Sequence, residues 1–164
     1  MKLSAESLQT FKGQIRGNVI TPEDPTYHDA RKVFNGAMDR KPAVIVKCKD
    51  VADVIASVHF GRENNLLVAI RSGGHNGAGL GVCDDGIVID LSLMRGVRVD
   101  PATKTVRAEG GALLGDLDHA THAFGMAVPS GINATTGISG LTLGGGLGHL
   151  TRTCGLTIDN LLEA

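Results

Sequence analysis

An apolar run at residues 66–70 empties directly into Arg71-Ser72-Gly73-Gly74-His75-Asn76-Gly77, and this junction constrains the fold more than any other stretch of the chain. A strand passing into consecutive glycines presents its backbone N–H groups to whatever lies beyond. A residue without Cβ permits that approach and takes φ > 0 without strain. Such turns form anion-binding concavities that suit a pyrophosphate. A histidine at the centre of one does little for packing and offers a nucleophilic imidazole.

Glycine marks sites in this chain rather than linkers. There are 23 glycines in 164 residues, about twice the usual ~7%, and 14 of them fall within residues 73–86 and 131–155. The length suits one domain. The net charge of −1, the absence of a Lys/Arg run and a single Tyr with no Trp argue against a nucleic-acid or anionic-membrane partner. Cys48, Cys83 and Cys154 have neither zinc-ligand spacing nor disulfide-scaffold density, so reduced thiols and a cytoplasmic location are expected. No signal peptide or transmembrane span is expected either.

Residues 1–39 read as a lead-in, with Leu3, Leu8, Phe11 and Ile15 spaced for a short helix and a turn around Pro22 and Pro25. From residue 40 the pattern sharpens. A strand at 43–47 is followed by a helix capped by Asp50, with Val51, Val54, Ile55 and Val58 as its apolar stripe. Asn64-Asn65 stops it, and the strand at 66–70 completes a β-α-β unit with the glycine loop at its exit. Strands follow at 87–91, 97–100 and 105–109, the last two as a hairpin. A helix at 112–124 carries Leu113, Leu114, Leu117 and Phe124 on one side and ends on Gly125. His119 and His122 sit three apart on its polar side without a third ligand, so no metal site is expected. A short apolar piece, 126–128, leads into the second glycine window. The chain thus reads as α+β, two β-α-β-like lobes each ending in a glycine loop and suited to one elongated ligand with two phosphates. FAD and a nicotinamide dinucleotide both answer to that description. The Rossmann fingerprint G-x-G-x-x-G fails on detail, since Gly77-Ala78-Gly79-Leu80-Gly81 leads to a turn and lacks the final spacing.

Five motifs, in order and at matching spacing, carry a family resemblance. They are Arg71-Ser72-Gly73-Gly74-His75; Ile87-Val88-Ile89-Asp90-Leu91-Ser92-Leu93-Met94; Gly110-Gly111-Ala112-Leu113-Leu114-Gly115-Asp116-Leu117; the run from Gly137 to Gly148; and Gly155-Leu156-Thr157-Ile158-Asp159-Asn160. Together they resemble the FAD-binding domain of PCMH-type (vanillyl-alcohol-oxidase) flavoproteins, in the berberine-bridge-enzyme and 6-hydroxynicotine-oxidase branch, over about residues 40–164.

The resemblance implies an FAD cradled by Arg71, Ser72, Gly73, Gly74, His75, Asn76 and Gly77. From the second window it adds Gly131, Asn133, Thr136, Gly137, Gly140, Leu141, Gly144, Gly145, Gly146, Gly148, Asn160 and Leu161. It makes His75 the residue carrying an 8α-linked flavin, since a neutral imidazole can add at the 8-methyl position once that carbon is electrophilic. Some members add a second tether through a cysteine where this chain has Asn133, so a single bond is expected. His149 stands where relatives usually carry a bulky apolar or aromatic residue, and it reads as a packing or surface variant, with contact to flavin or substrate as the alternative. Cys154 reads as a small apolar filler. The whole protein is expected to oxidise a small alcohol, amine or sugar, with O₂ as acceptor. Its substrate domain and last FAD-domain strands would lie beyond residue 164, leaving the domain C-terminally incomplete and no residue here assignable as catalytic base. A non-catalytic nucleotide-binding remnant, or a dehydrogenase with non-covalent FAD, are the alternatives.

Overall fold

The computed structural model describes residues 3–164, which form two compact units meeting between Leu93 and Met94. No helix among the described residues is long and apolar enough to cross a membrane.

In the first unit, helix α1 (Ala5–Gln14) starts on Ser4, whose Oγ accepts the Ser7 N–H at 3.0 Å. Strand β1 (Asn18–Ile20) and the one-turn helix α2 (Tyr27–Ala30) follow. Then come β2 (Val44–Lys47), α3 (Val51–Glu63), β3 (Val68–Arg71) and β4 (Ile87–Asp90). The sheet runs β1-β2-β4-β3, with β1 antiparallel to β2 and the other three strands parallel. The β2–α3–β3 crossover thus spans one strand position, which β4 fills. Val44, Ile45, Val46, Ile87, Val88 and Ile89 are fully buried, which is why both central strands are unbroken β-branched runs rather than alternating ones. On one face Ile45, Val88 and Ala69 lie in register and pack with Ile20, Tyr27, Ala30, Val82 and Cys83.

Two expectations change here. Residues 3–39 of the expected lead-in do not stand outside the unit, because β1 pairs with β2 and Phe11, Ile20, Tyr27 and Ala30 are buried in it. Each short element contributes one or two anchors, too few to show a period. The stripe expected on α3 is also the wrong face: Val51, Ile55 and Val58 are 62%, 54% and 43% exposed. The helix instead buries Asp53, Ser57, Phe60 and Gly61. Asp53 accepts the backbone N–H groups of Arg16, Gly17 and Lys49 at 2.8–3.0 Å. Ser57 Oγ donates to the Asp53 carbonyl at 2.7 Å. A Cβ on Gly61 would lie 2.9 Å from Val68 Cγ2, so small residues let the helix axis approach the sheet. Phe60 stacks on Phe11 with centroids 4.0 Å apart, and burying such a ring stabilises by about 1.5–3 kcal/mol. Satisfied hydrogen bonds and close approach chose this face over apolar periodicity.

The Asp50 cap forms as expected, Oδ1 accepting the Asp53 N–H at 3.1 Å. Asn64 and Asn65 end the helix, Asn65 at φ 50°.

The second unit contains an antiparallel hairpin, β5 (Val97–Asp100) with β6 (Thr105–Ala108), whose turn is pinned by Asp100 Oδ1 accepting the Ala102 and Thr103 N–H groups. Helix α4 (Leu114–His122) packs on β5 and buries Leu114, Leu117 and Thr121. Asp116 Oδ2 closes its first turn by accepting the Leu113 N–H at 2.8 Å. Phe124, expected on the buried side, lies beyond the helix and is 53% exposed. Gly125 takes φ 65° and ends the helix as expected, with Gly125 N–H on the His122 carbonyl and Met126 N–H on that of Thr121, the paired bonds of a Schellman turn. Residues 126–128 form no strand. The second unit is therefore not a β-α-β repeat: its sheet is a two-stranded antiparallel one. Short helices α5 (Ile138–Leu143) and α6 (Thr151–Cys154) and a 3₁₀ turn (Ile158–Asn160) complete it.

Candidate FAD-binding site

Parallel pairing puts Arg71 directly beside Asp90 at the C-terminal ends of β3 and β4, the end of such sheets where ligands bind. Arg71 is 7% exposed and Asp90 2%, and Nη2 lies 2.7 Å from Oδ2. The guanidinium also donates to the carbonyls of Ala30 (2.6 Å) and Lys32 (3.1 Å). Asp90 Oδ1 accepts the Ser92 N–H at 2.9 Å. From the sequence Arg71 reads as either a phosphate contact or a structural residue. Its charge is met by Asp90 and its fork by protein oxygens, the arrangement of a loop anchor.

The loop leaves this anchor half-buried through residues 72–75 and exposed at 76–77. Gly74 sits at φ 69°, a conformation that a β-carbon would strain. Asn76 caps the following turn, Oδ1 accepting the Leu80 N–H and its carbonyl the Gly79 N–H, so its side chain is committed to the loop. The imidazole of His75 stacks on the ring of Phe34, centroids 4.1 Å apart and planes at 16°. Phe34 N–H donates to the Gly74 carbonyl at 3.1 Å, and Asn35 Nδ2 donates to the Gly77 carbonyl at 2.8 Å. Sequence reasoning missed Phe34 and Asn35, which lie in the stretch read as a lead-in and belong to no periodic segment. Asp90 as the partner of Arg71 was also missed, although the two end neighbouring strands of equal length.

The loop fits a polar, extended group. Ser72 Oγ is buried with no hydrogen-bond partner among the described residues, a state that costs about 1–3 kcal/mol unless a ligand or water relieves it. Nothing lies within 4 Å of where a Cβ on Gly77 would be, so backbone there is open to approach.

In the second unit the candidate residues gather around α5. Asn133 Oδ1 accepts the Thr135 N–H and Oγ1, while the Thr136 carbonyl takes the Leu114 N–H. Gly137 is the buried N-cap of α5, bridged to Leu113. Leu141 packs against Gly131, and Gly140 faces open space. Gly144 caps the helix, and Gly145 and Gly146 follow at φ 103° and 78°. At Gly148 a Cβ would lie 1.7 Å from the Ser130 carbonyl oxygen, so only glycine fits there. Asn160 Nδ2 donates to the carbonyls of Cys154 and Leu156, both at 2.9 Å, and Leu161 is 42% exposed beside it. His149 and Cys154 are exposed, Cys154 therefore not the buried filler expected.

Comparison with known proteins gives these loops a family. The profile of the FAD binding domain matches residues 42–164. (R)-6-hydroxynicotine oxidase of Paenarthrobacter nicotinovorans is 39% identical over 150 residues, 92% of this chain and 33% of that protein. Berberine bridge enzyme-like 21 of Arabidopsis thaliana is 33% identical over 174 residues, 98% of this chain and 32% of its own length. The crystal structure of 6-hydroxy-D-nicotine oxidase from Arthrobacter nicotinovorans superposes with a TM-score of 0.88 at 36% identity, covering 96% of this chain and 34% of that one. The chain spans about a third of the length of the curated relatives it matches. The profile match, the fold and these relatives agree: the chain belongs to the FAD binding domain family, among the PCMH-type flavoproteins that include 6-hydroxynicotine oxidase and the berberine-bridge-like proteins.

Proposed function

We propose that this chain is the FAD-binding portion of an FAD-linked oxidoreductase whose flavin is tethered by one 8α bond to His75. The observation that carries the reading is the half-buried imidazole of His75, held by a stacked ring in a glycine loop at the end of β3. Bound FAD would supply the redox chemistry, taking a hydride from a small alcohol, amine or sugar and passing the electrons to O₂.

The chain's own residues bind and orient. The Arg71–Asp90 pair fixes where the loop leaves the sheet. Ser72 Oγ and the loop N–H groups serve as the pyrophosphate ligands. The backbone around Gly137, Gly140 and Gly144–Gly146, with Asn160 and Leu161, is proposed as further cofactor-contacting surface on the strength of family membership. Asn133 cannot form a thioether, which leaves a single tether. A substrate domain of the intact protein is proposed to supply the catalytic base, and the free cysteines suit a cytoplasmic setting.

The test is acid or denaturant precipitation of the purified full chain. Yellow, flavin-fluorescent protein in the wild type and none in His75→Ala supports the tether. Flavin released from the wild type into the supernatant overturns it.

A further inference from the structure

The segment before β2 runs beside the candidate loop and is tied to it point by point. Arg71 reaches the carbonyls of Ala30 and Lys32, and Phe34 N–H meets the Gly74 carbonyl. Asn35 Nδ2 meets the Gly77 carbonyl, and the Met38 side chain lies where a Cβ on Gly79 would be. Arg40 Nη1 donates to the Val82 carbonyl at 3.1 Å. Asn35 Oδ1 in turn accepts the Ala37 N–H, which stiffens the bend that carries Phe34. Phe34 is 65% exposed, so core burial does not account for a large apolar ring at this position. What the ring does in this unit is cover one face of the His75 imidazole in a near-parallel stack.

We infer that Phe34, held by the 30–40 strap, is a positioning residue that sets the plane of the His75 ring for attachment to FAD. The inference rests on the proposed tether. A ring nitrogen attacks through a lone pair lying in the imidazole plane, so the direction of that plane decides whether the pair reaches the flavin methyl carbon. Stacking removes rotation out of plane, and the Gly74 and Gly77 ties remove sliding along the loop. In the net reaction a methyl C–H and the imidazole N–H are replaced by one C–N bond. Two electrons and two protons pass to dioxygen, which leaves as hydrogen peroxide. Misplacing a reacting group by about 1 Å slows such steps by roughly 100-fold.

The experiment follows acid-stable flavin against time after adding FAD to the full chain produced without riboflavin, with total bound FAD as the control for folding. Phe34→Leu, which keeps an apolar side chain without the planar ring, is expected to bind FAD and attach it about 10- to 100-fold more slowly. Phe34→Trp restores a planar face and is expected to return the rate to within a few-fold of wild type. Attachment by Phe34→Leu at the wild-type rate overturns the inference, as does a Phe34→Trp rate no faster than that of Phe34→Leu. If Phe34→Leu does not retain FAD, Asn35→Ala, which keeps the ring and cuts the Gly77 tie, must still slow attachment, and a wild-type rate in it overturns the strap. Absence of acid-stable flavin in the wild type overturns the tether itself, a result distinct from all of these.

Discussion

Replacing Asp90 by Ala leaves the Arg71 guanidinium buried with only the Ala30 and Lys32 carbonyls as acceptors. Both partners are nearly sealed from water, at 2% and 7% exposure. Removing one member of such a pair destabilises by about 3–5 kcal/mol, most of it from the charge left behind. The Ser92 N–H loses its acceptor as well, a further ~1 kcal/mol. The two remaining carbonyls offset part of this, so a net loss of about 3–5 kcal/mol is expected. That is a large fraction of the ~5–15 kcal/mol that holds a domain folded. Arg71→Met is expected to cost a similar amount, because it strands the carboxylate and orphans two carbonyls. The double variant Arg71→Met/Asp90→Ala removes both charges and should fall short of the sum of the singles by about 2–3 kcal/mol. Urea unfolding of the FAD-loaded full chain reads this directly. At a slope of about 1–3 kcal/mol/M, the Asp90→Ala midpoint drops by more than 1 M. A loss below about 1 kcal/mol, or single effects that simply add, would refute the anchoring role.

Other expectations follow from single sites. Burial pushes the Asp53 carboxyl up, but the Lys49, Arg16 and Gly17 N–H groups and the Arg16 charge outweigh it and hold the carboxyl below the usual carboxylate range. Its stabilisation is therefore complete above the unfolded pKa of about 4 and is lost as pH falls through the lower folded value. Asp53→Asn should cost about 2–4 kcal/mol at pH 7, with the gap to wild type narrowing below about pH 4; a gap independent of pH contradicts this. Gly148→Ala forces a methyl onto the Ser130 carbonyl and is expected to lower both thermal stability and FAD occupancy, while unchanged melting contradicts the close approach. Cys48 is fully buried, and burial pushes its thiol up to about 11; burial raises that of Cys83 too. Both should resist an aromatic disulfide reagent in the folded protein and react only in denaturant, and fast modification of either contradicts the packing.

What the sequence showed and hid follows from how each signal is written. The parallel strands were visible because Val44–Lys47 and Ile87–Asp90 are buried on both faces, which demands uninterrupted apolar runs. The loop at 71–77 was visible because glycine substitutes for side chains where backbone must be open. The docking face of α3 was hidden because Asp53 and Ser57 are buried through hydrogen bonds to residues up to 37 positions away, and hydropathy counts them as surface. Arg71 read equally as a phosphate contact or a structural residue because its partner Asp90 lies 19 positions on and is brought alongside only by strand register. Phe34 and Asn35 act through one ring face and one amide, and a single contact leaves no period to detect.

The most direct measurement of the tether is peptide mapping of the flavin-loaded chain. Trypsin cuts after Arg71 and Arg95 with no Lys or Arg between them, so residues 72–95 emerge as one peptide that holds His75. The expected result is that this peptide alone carries the FAD mass and yellow absorbance, and that fragmentation places the addition on His75. An unmodified 72–95 peptide from wild-type protein, or a flavin found on any other residue, contradicts it.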